Sequence, residues 1–222
     1  MISSNIKKRL LTSIILFLLL ILMYYYSYIL IISLIVISLV TWIEFYGLII
    51  KIYVKNNFKD KFKRFIFKVT SLLFLSFVTF LIVVTEVKNP DMKIFIIYSL
   101  LVSILSDIGG IVIGKTLKGK KLTKISPNKT VSGSLGAFIF SLILIPFFEQ
   151  ILSNHTIATL IMITLLISLT SQIGDLFISF IKRKARVKDT SDLLPGHGGF
   201  LDRIDGILFA IPIGFLLFNL FW

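Results

Sequence analysis

The chain has no cysteine in its 222 residues. That absence excludes disulfides, cysteine-based metal sites and thiol nucleophiles together. Internal repeats, low-complexity tracts and any soluble domain are also missing. Acids are few, 11 against 24 Lys and Arg, for a net charge of +13. What fills the chain instead is apolar: 56% hydrophobic residues and 21 Phe, with a mean hydropathy of +0.96. Such a composition fits neither a soluble globular domain nor a disordered one. It implies an all-α, polytopic integral membrane protein organised as one domain. The opening "MISSNIKKRLLTSIILFLLLILMYYYS" imitates a signal peptide, but three tyrosines replace a small-residue cleavage site. It reads as a retained first helix with Tyr24 to Tyr26 at the far interface.

A membrane-spanning helix needs roughly 20 apolar residues. Seven runs qualify: about 10–25, 28–50, 65–86, 94–114, 131–150, 157–181 and 204–222. Basic residues then set the orientation. Lys7, Lys8 and Arg9, the 51–68 segment, the 115–129 segment and the 182–203 segment together hold 22 of the 24 Lys and Arg. By alternation all four lie on one side, and only Lys88 and Lys93 fall opposite. The positive-inside rule places that side, and the N-terminus, in the cytoplasm, with Trp222 outside. Topology therefore explains most of the charge, without nucleic acid. The same charge attracts anionic headgroups and nucleotides.

Ionisable groups inside spans are costly and usually functional. Glu44, Asp107 and Asp175 each precede the first lysine of a cytoplasmic segment by seven or eight residues. At about 1.5 Å per residue that is roughly 10–12 Å of depth. The three could converge on one polar cavity open to the cytoplasm. Carboxylates near a basic rim suit Mg²⁺, which prefers oxygen ligands and substrate phosphates. Glu44, alone in "TWIEFYG", reads more readily as an interhelical hydrogen-bonding residue and stays outside the expected site. Asp107 has glycines beside it in "SDIGGIVIGK", and Asp175 shares its helix with Ser171 and Gln172.

Two basic loops carry the remaining chemistry. In "KTLKGKKLTKISPNKTVSGSLGA", residues 115–137, a turn at Pro127 leads into a helix start rich in Ser and Thr. Helix N-terminal amides with a nearby lysine form a phosphate site, and Lys129 is the best-placed cation. The bland alternative is an ordinary positive-inside loop. In "KRKARVKDTSDLLPGHGGFLDRIDG", residues 182–206, Pro195-Gly196 and Gly198-Gly199 mark a tight turn whose amides can present a nest to an anion. His197 can donate to a phosphate or shuttle a proton. Asp202 and Asp205, three apart where the last helix begins, are expected on one face. Arg203 can pair with them or fork a phosphate. Lys182, Arg183, Lys184 and Arg186 also serve as topology determinants, and Lys188-Asp189 as a solvated pair.

The second loop resembles the signature of the phosphatidate cytidylyltransferase, or CDP-diglyceride synthetase, family. That signature runs Ser, two residues, Lys-Arg, four residues, Lys-Asp, a small residue two further on, an apolar residue before Pro or Gly, His-Gly-Gly, then Asp-Arg-x-Asp. Ser179, Lys182, Arg183, Lys188, Asp189, Ser191, Leu194, Pro195, His197, Gly198, Gly199, Asp202, Arg203 and Asp205 match it in order and spacing. Upstream, "ISPNKTVSGSLGA" is similar to the family's Ile-Ser-Pro-Lys-Lys-Thr-x-Glu-Gly segment, with Asn128 and Ser132 as departures. "SDIGGIVIGK" is similar to its Asp-Thr-Gly-Ala segment, with Ile108 and Gly110 as departures.

The resemblance implies that residues 1–222 form a single transmembrane cytidylyltransferase domain of a bacterial inner membrane. The reaction implied is CTP plus phosphatidic acid giving CDP-diacylglycerol and pyrophosphate, at a cytoplasm-facing site. It implies a two-cation centre of Mg²⁺ and a second cation such as K⁺. Asp175 and Asp202 would be its acids, with Asp205 and Asp107 as weaker candidates. Lys188, Arg203 and His197 join Asp175 and Asp202 as the catalytic set. Ser126, Lys129, Thr130, Lys182, Arg183, Asp189, Gly198 and Gly199 form the substrate-binding set. Partners are the two substrates and the bilayer, without nucleic acid; a homodimer is compatible. Another CTP-dependent lipid or polyprenol phosphotransferase is the nearest rival, and a small transporter the rival from another class.

Overall fold

A computed structural model describes residues 4–55, 57–123, 125–194 and 198–221, with side chains from Leu11 onward. The helices run α1 (Ser4–Tyr25), α2 (Ser27–Ile52), α3 (Phe58–Lys88), α4 (Lys93–Leu117), α5 (Val131–Leu142), α6 (Ile145–Phe148), α7 (Ile157–Lys184), α8 (Leu201–Ile204) and α9 (Ile207–Leu220). Among the described residues no strand forms; two isolated antiparallel bridges join Lys121 to Thr130 and Leu194 to Gly198.

Among the described residues, each apolar run expected to span the membrane is mostly helical. Five segments are long and apolar enough to cross: Ser27–Ile52, Phe58–Lys88, Pro90–Leu117, Val131–Phe148 and Ile157–Lys184. The all-α polytopic architecture stands. The first apolar stretch, Leu11–Tyr25, is shorter. The last helix has only 14 residues, below the roughly 20 that a spanning helix needs.

Three boundaries depart from expectation for identifiable reasons. α3 begins at Phe58, because Asn57 caps it by accepting from the Asp60 amide at 2.9 Å. The run 131–150 is not one continuous helix. Pro146 has no N–H for the Leu142 carbonyl, so the backbone tightens through Ile143 and Leu144 with i→i−3 bonds of 3.2 and 3.3 Å. The last run is divided between α8 and α9. Asp205 Oδ1 accepts from the Gly206 amide at 2.9 Å, a local bond that competes with the helix ladder.

The chain divides into two compact units, interleaved in sequence. The first holds residues 1–90 and 181–204. In it α2 buries Thr41, Glu44, Phe45, Leu48 and Ile49, and α3 buries Leu75, Val78, Leu81, Ile82 and Thr85. Both sets recur at helical spacing, so each forms one stripe and the helices pack along it. The Trp42 indole donates to the Lys68 carbonyl at 3.1 Å, and the Lys68 ammonium lies over the Trp42 and Tyr46 rings. Phe65, Leu73, Phe77 and Phe80 face outward, as lipid contact requires.

The second unit holds residues 91–180 and 205–222. Here α4 and α5 approach through small residues. A Cβ on Gly109 would collide with the Gly136 carbonyl, and one on Gly136 with Ile113. Close backbone contact of this kind drives helix association where lipid offers no hydrophobic gain. Between α4 and α7, Ser103 and Ser171 hydroxyls pair at 2.7 Å, and Ser106 and Ser168 at 2.9 Å. Tyr98, Val102, Leu160, Ile163, Ile167 and Phe218 form the apolar core. These pairs fix the register of α4 on α7, and so the heights of Asp107 and Asp175.

Candidate active site

In the first unit, the segment after α7 folds back toward the short helix α8. Arg186 takes a left-handed φ of 57°, and Val187 N–H returns to the Lys182 carbonyl at 3.0 Å. The Leu194–Gly198 bridge, with Leu194 N–H on the Gly198 carbonyl at 2.8 Å, brackets residues 195–197. Pro195, Gly196 and the expected catalytic His197 lie outside the described residues.

Asp202 is the centre of this loop. Its Oδ1 accepts from Lys182 Nζ at 2.7 Å. Its Oδ2 accepts from the Thr190 amide at 2.8 Å, the Thr190 hydroxyl at 2.9 Å and the Gly199 amide at 3.1 Å. The side chains of Lys182 and Asp202 are only 12% and 5% exposed. Burial pushes the Asp202 pKa up. The Lys182 ammonium and the Thr190 and Gly199 amides outweigh it and hold the group below its ordinary value. Asp202 is therefore a fixed anion at neutral pH, paired with one cation.

The same loop rests on Glu44 of α2, which is 5% exposed. Oε1 accepts from the Ser191 hydroxyl at 2.6 Å and the Phe200 amide at 3.1 Å. Oε2 accepts from the Leu201 amide at 2.8 Å and the Thr190 hydroxyl at 3.2 Å. A buried carboxylate survives only when its acceptors are filled; here three donors are its own and the fourth, the Thr190 hydroxyl, is shared with Asp202.

This arrangement revises the reason for the glycines. The amides of Gly199, Phe200 and Leu201 point to the protein's own carboxylates instead of outward as a nest. A Cβ on Gly199 would overlap the Thr190 hydroxyl and stand 2.6 Å from both Glu44 oxygens. Gly198 has φ +80°, and its Cβ would meet Asp202 Oδ2 at 3.0 Å. The glycines let Glu44 and Asp202 close on the turn from two sides.

In the second unit, Lys129 and Asp175 form an ion pair, each about a quarter exposed. Ser179 Oγ also donates to Asp175 Oδ1 at 3.3 Å. Asp107, Asp175 and Lys129 lie within electrostatic reach of one another. Ser134 donates to Gln172 at 2.6 Å, tying α5 to α7 beside it. The Thr130 hydroxyl caps α5, accepting from the Gly133 amide at 3.0 Å. Ser126 closes the preceding turn, its carbonyl accepting from Lys129 N–H at 3.1 Å. Asp205 is buried and bonded to Gly206. With α8 ending at Ile204 and α9 starting at Ile207, Asp202 and Asp205 do not share a face of one continuous helix.

Lys188, Asp189, Arg183 and Arg203 are exposed. Arg183 reaches the Val187 carbonyl at 3.5 Å. The donor set can be tested for a hard cation. Asp175 and Asp202 offer only oxygen, and each already seats an ammonium. Among the described residues no group of three or more His, Cys, Asp or Glu gathers as a ready ligand set. Mg²⁺ is bound through one or two carboxylates and completes its shell with water and substrate phosphates. Asp175 in the second unit and Asp202 in the first can each, taken separately, supply one carboxylate ligand of that kind.

Thr190 and Glu44 are the two residues sequence reasoning left out of the site. For Glu44 a signal existed: an acid buried in an apolar run demands partners. For Thr190, inside the signature but at none of its fixed positions, no signal pointed to the bridge between the two carboxylates.

Residues 1–221 match the model of the cytidylyltransferase family. The chain is similar to phosphatidate cytidylyltransferases of Bacillus subtilis, 41% identical over 141 residues, covering 61% of this chain and 52% of the relative. The Staphylococcus saprophyticus protein of that name is 43% identical over 122 residues, covering 54% and 46%. The Staphylococcus aureus one is 40% identical over 121 residues, with the same coverage. The chain thus spans about half the length of the curated relatives it matches.

Proposed function

The chain belongs to the cytidylyltransferase family, and from that premise we propose that it transfers the cytidylyl group of CTP to phosphatidic acid. An oxygen of the phosphatidate phosphate attacks the α-phosphorus of CTP. The bond from that phosphorus to the bridging oxygen of the β-phosphate breaks. CDP-diacylglycerol forms and pyrophosphate leaves. The nucleophile is ionised at pH 7, so no general base is required. The protein's contribution is positioning and charge neutralisation.

The observation that carries this reading is the Lys182–Asp202 pair, held by the Thr190 and Gly199 amides within the loop that bears the family spacing. Lys182 and Lys129 supply buried or half-buried ammonium groups for phosphate oxygens. Exposed Lys188 and Arg203 supply solvent-facing ones. Asp175 and Asp202 are the proposed Mg²⁺ ligands, with Asp107 and Asp205 secondary. When bound, Mg²⁺ neutralises charge on the triphosphate. Lys129 and Lys182 are the groups that would turn from these carboxylates to phosphate as substrate arrives. The charge asymmetry of the loops supports a bacterial inner-membrane enzyme working on the cytoplasmic side, where CTP is present and phosphatidate enters from the inner leaflet.

The test is direct. Purified protein is incubated with phosphatidate, cytosine-labelled CTP and Mg²⁺. The label is expected in the lipid phase with stoichiometric pyrophosphate. Folded protein that yields neither would sink the assignment.

A further inference from the structure

We propose that Glu44 is a positioning residue for Asp202, acting through the Thr190 hydroxyl and the 199–201 turn. Three observations on one loop support this. Glu44 is buried, and its four donors all come from residues 190–201. Among the described residues no cation pairs with it, so those donors alone compensate its charge. Two further donors from the same stretch, the Thr190 and Gly199 amides, fix Asp202 together with the Thr190 hydroxyl that Glu44 shares.

Thr190 Oγ1 therefore lies between two carboxylates, 3.2 Å from Glu44 Oε2 and 2.9 Å from Asp202 Oδ2. A hydroxyl has one proton to donate. It serves one carboxylate at a time, while the amides of Leu201 and Gly199 hold the two oxygens in place. Rotation of this hydroxyl toward Glu44 frees an acceptor site on Asp202 without moving the backbone. Glu44 is thus the wall against which Asp202 is set, and Thr190 the adjustable link. α2 does no chemistry itself; it anchors the loop that does.

Glutamine is nearly isosteric with Glu44, but its amide nitrogen would face donors. Phe200 N–H and Leu201 N–H cannot turn away as a hydroxyl can. One backbone bond is lost whichever way the amide is oriented.

This proposal rests on the cytidylyl-transfer reading for Asp202, so the experiment has one arm that needs no turnover. Full-length protein in detergent is compared as wild type, Glu44→Gln, Thr190→Val and Thr190→Ser. Hydrogen–deuterium exchange is followed over residues 188–202, and Mg²⁺ is titrated both by thermal shift and by cytidylyl transfer. Glu44→Gln and Thr190→Val are expected to exchange about tenfold faster in this segment, the factor for one lost hydrogen bond to a charged group. The Mg²⁺ concentration giving half the thermal shift should rise at least fivefold in both. Thr190→Ser, which keeps the hydroxyl, should restore wild-type protection. Unchanged exchange in Glu44→Gln would overturn the proposal. So would faster exchange with an unaltered Mg²⁺ midpoint, which is the signature of a merely structural role. If wild type transfers no cytidylyl group, the functional reading fails, while the exchange and thermal-shift arms still decide the role of Glu44.

Discussion

Replacing Gly199 by alanine adds one methyl group where the structure has no room for it. The new Cβ would overlap the Thr190 hydroxyl and sit 2.6 Å from each Glu44 oxygen. An ordinary carbon contact is about 3.5 Å or more. The turn must back away by roughly 1 Å, which exceeds the tolerance of the bonds around it. Two of those bonds go first, Gly199 N–H to Asp202 at 3.1 Å and the Thr190 hydroxyl to Glu44 at 3.2 Å. Each ends on a carboxylate, worth about 1.5–3 kcal/mol. The turn should therefore loosen by about 3–6 kcal/mol, or at least a hundredfold in its opening equilibrium. Of the transmembrane helices only α2 shares these contacts, through Glu44, and its own backbone ladder is untouched, so the helices should stay folded. Hydrogen exchange over residues 188–202 reads the local change, and thermal denaturation in detergent reads the global one. Gly47 is the control: its Cβ would meet nothing within 4 Å, so Gly47→Ala in α2 should be neutral or up to about 1 kcal/mol more stable. Wild-type protection of the Phe200 and Leu201 amides in Gly199→Ala would show that the turn has room for the methyl group.

Other outcomes follow from the same contacts. Asp202→Asn should abolish cytidylyl transfer while the protein still inserts; near wild-type turnover would contradict the role given to Asp202. The folded Asp202 pKa is lowered, so its stabilisation is fully present above the unfolded value of about 3.9 and is lost as pH falls through the lower folded value. Loop protection should be flat from pH 5 to 8 and fall only under more acidic conditions; loss near pH 6 would contradict the assignment. Gly136→Val should cost about 1–3 kcal/mol or more by forcing α4 from α5, read as a drop in melting temperature. Lys129→Ala should change stability by less than about 1 kcal/mol, since the Lys129–Asp175 pair is partly exposed. Its transfer activity should fall at least tenfold, seen as a raised KM for CTP.

Hydropathy made the helices legible because lipid demands long apolar runs and satisfied backbones. It could not show their ends. The lysines at 59, 61 and 63 read as a loop, yet Asn57 starts α3 before them and they ride the helix in water. Pro146 was visible, but a hydropathy count is blind to the hydrogen bond it removes. In the site, the signature located Lys182 and Asp202, but their pairing came only from the fold. The glycines were legible as special but not why. Their purpose depends on Glu44, which reaches Phe200 across 156 positions of chain. Nothing in a linear pattern states that pairing. A buried acid announces that it needs donors, and only the fold names Thr190, Ser191, Phe200 and Leu201 as the ones it found.

Cytidylyl transfer differs from kinase chemistry in one respect: the α-phosphorus of CTP, and not the γ-phosphorus, reaches the lipid. CTP labelled separately at the α- and γ-phosphates should be given to the purified protein with phosphatidate and Mg²⁺. With cytidylyl transfer, α label is expected in the lipid and γ label in pyrophosphate. Recovery of γ label in the lipid, with CDP left in solution, would contradict it and make the protein a kinase.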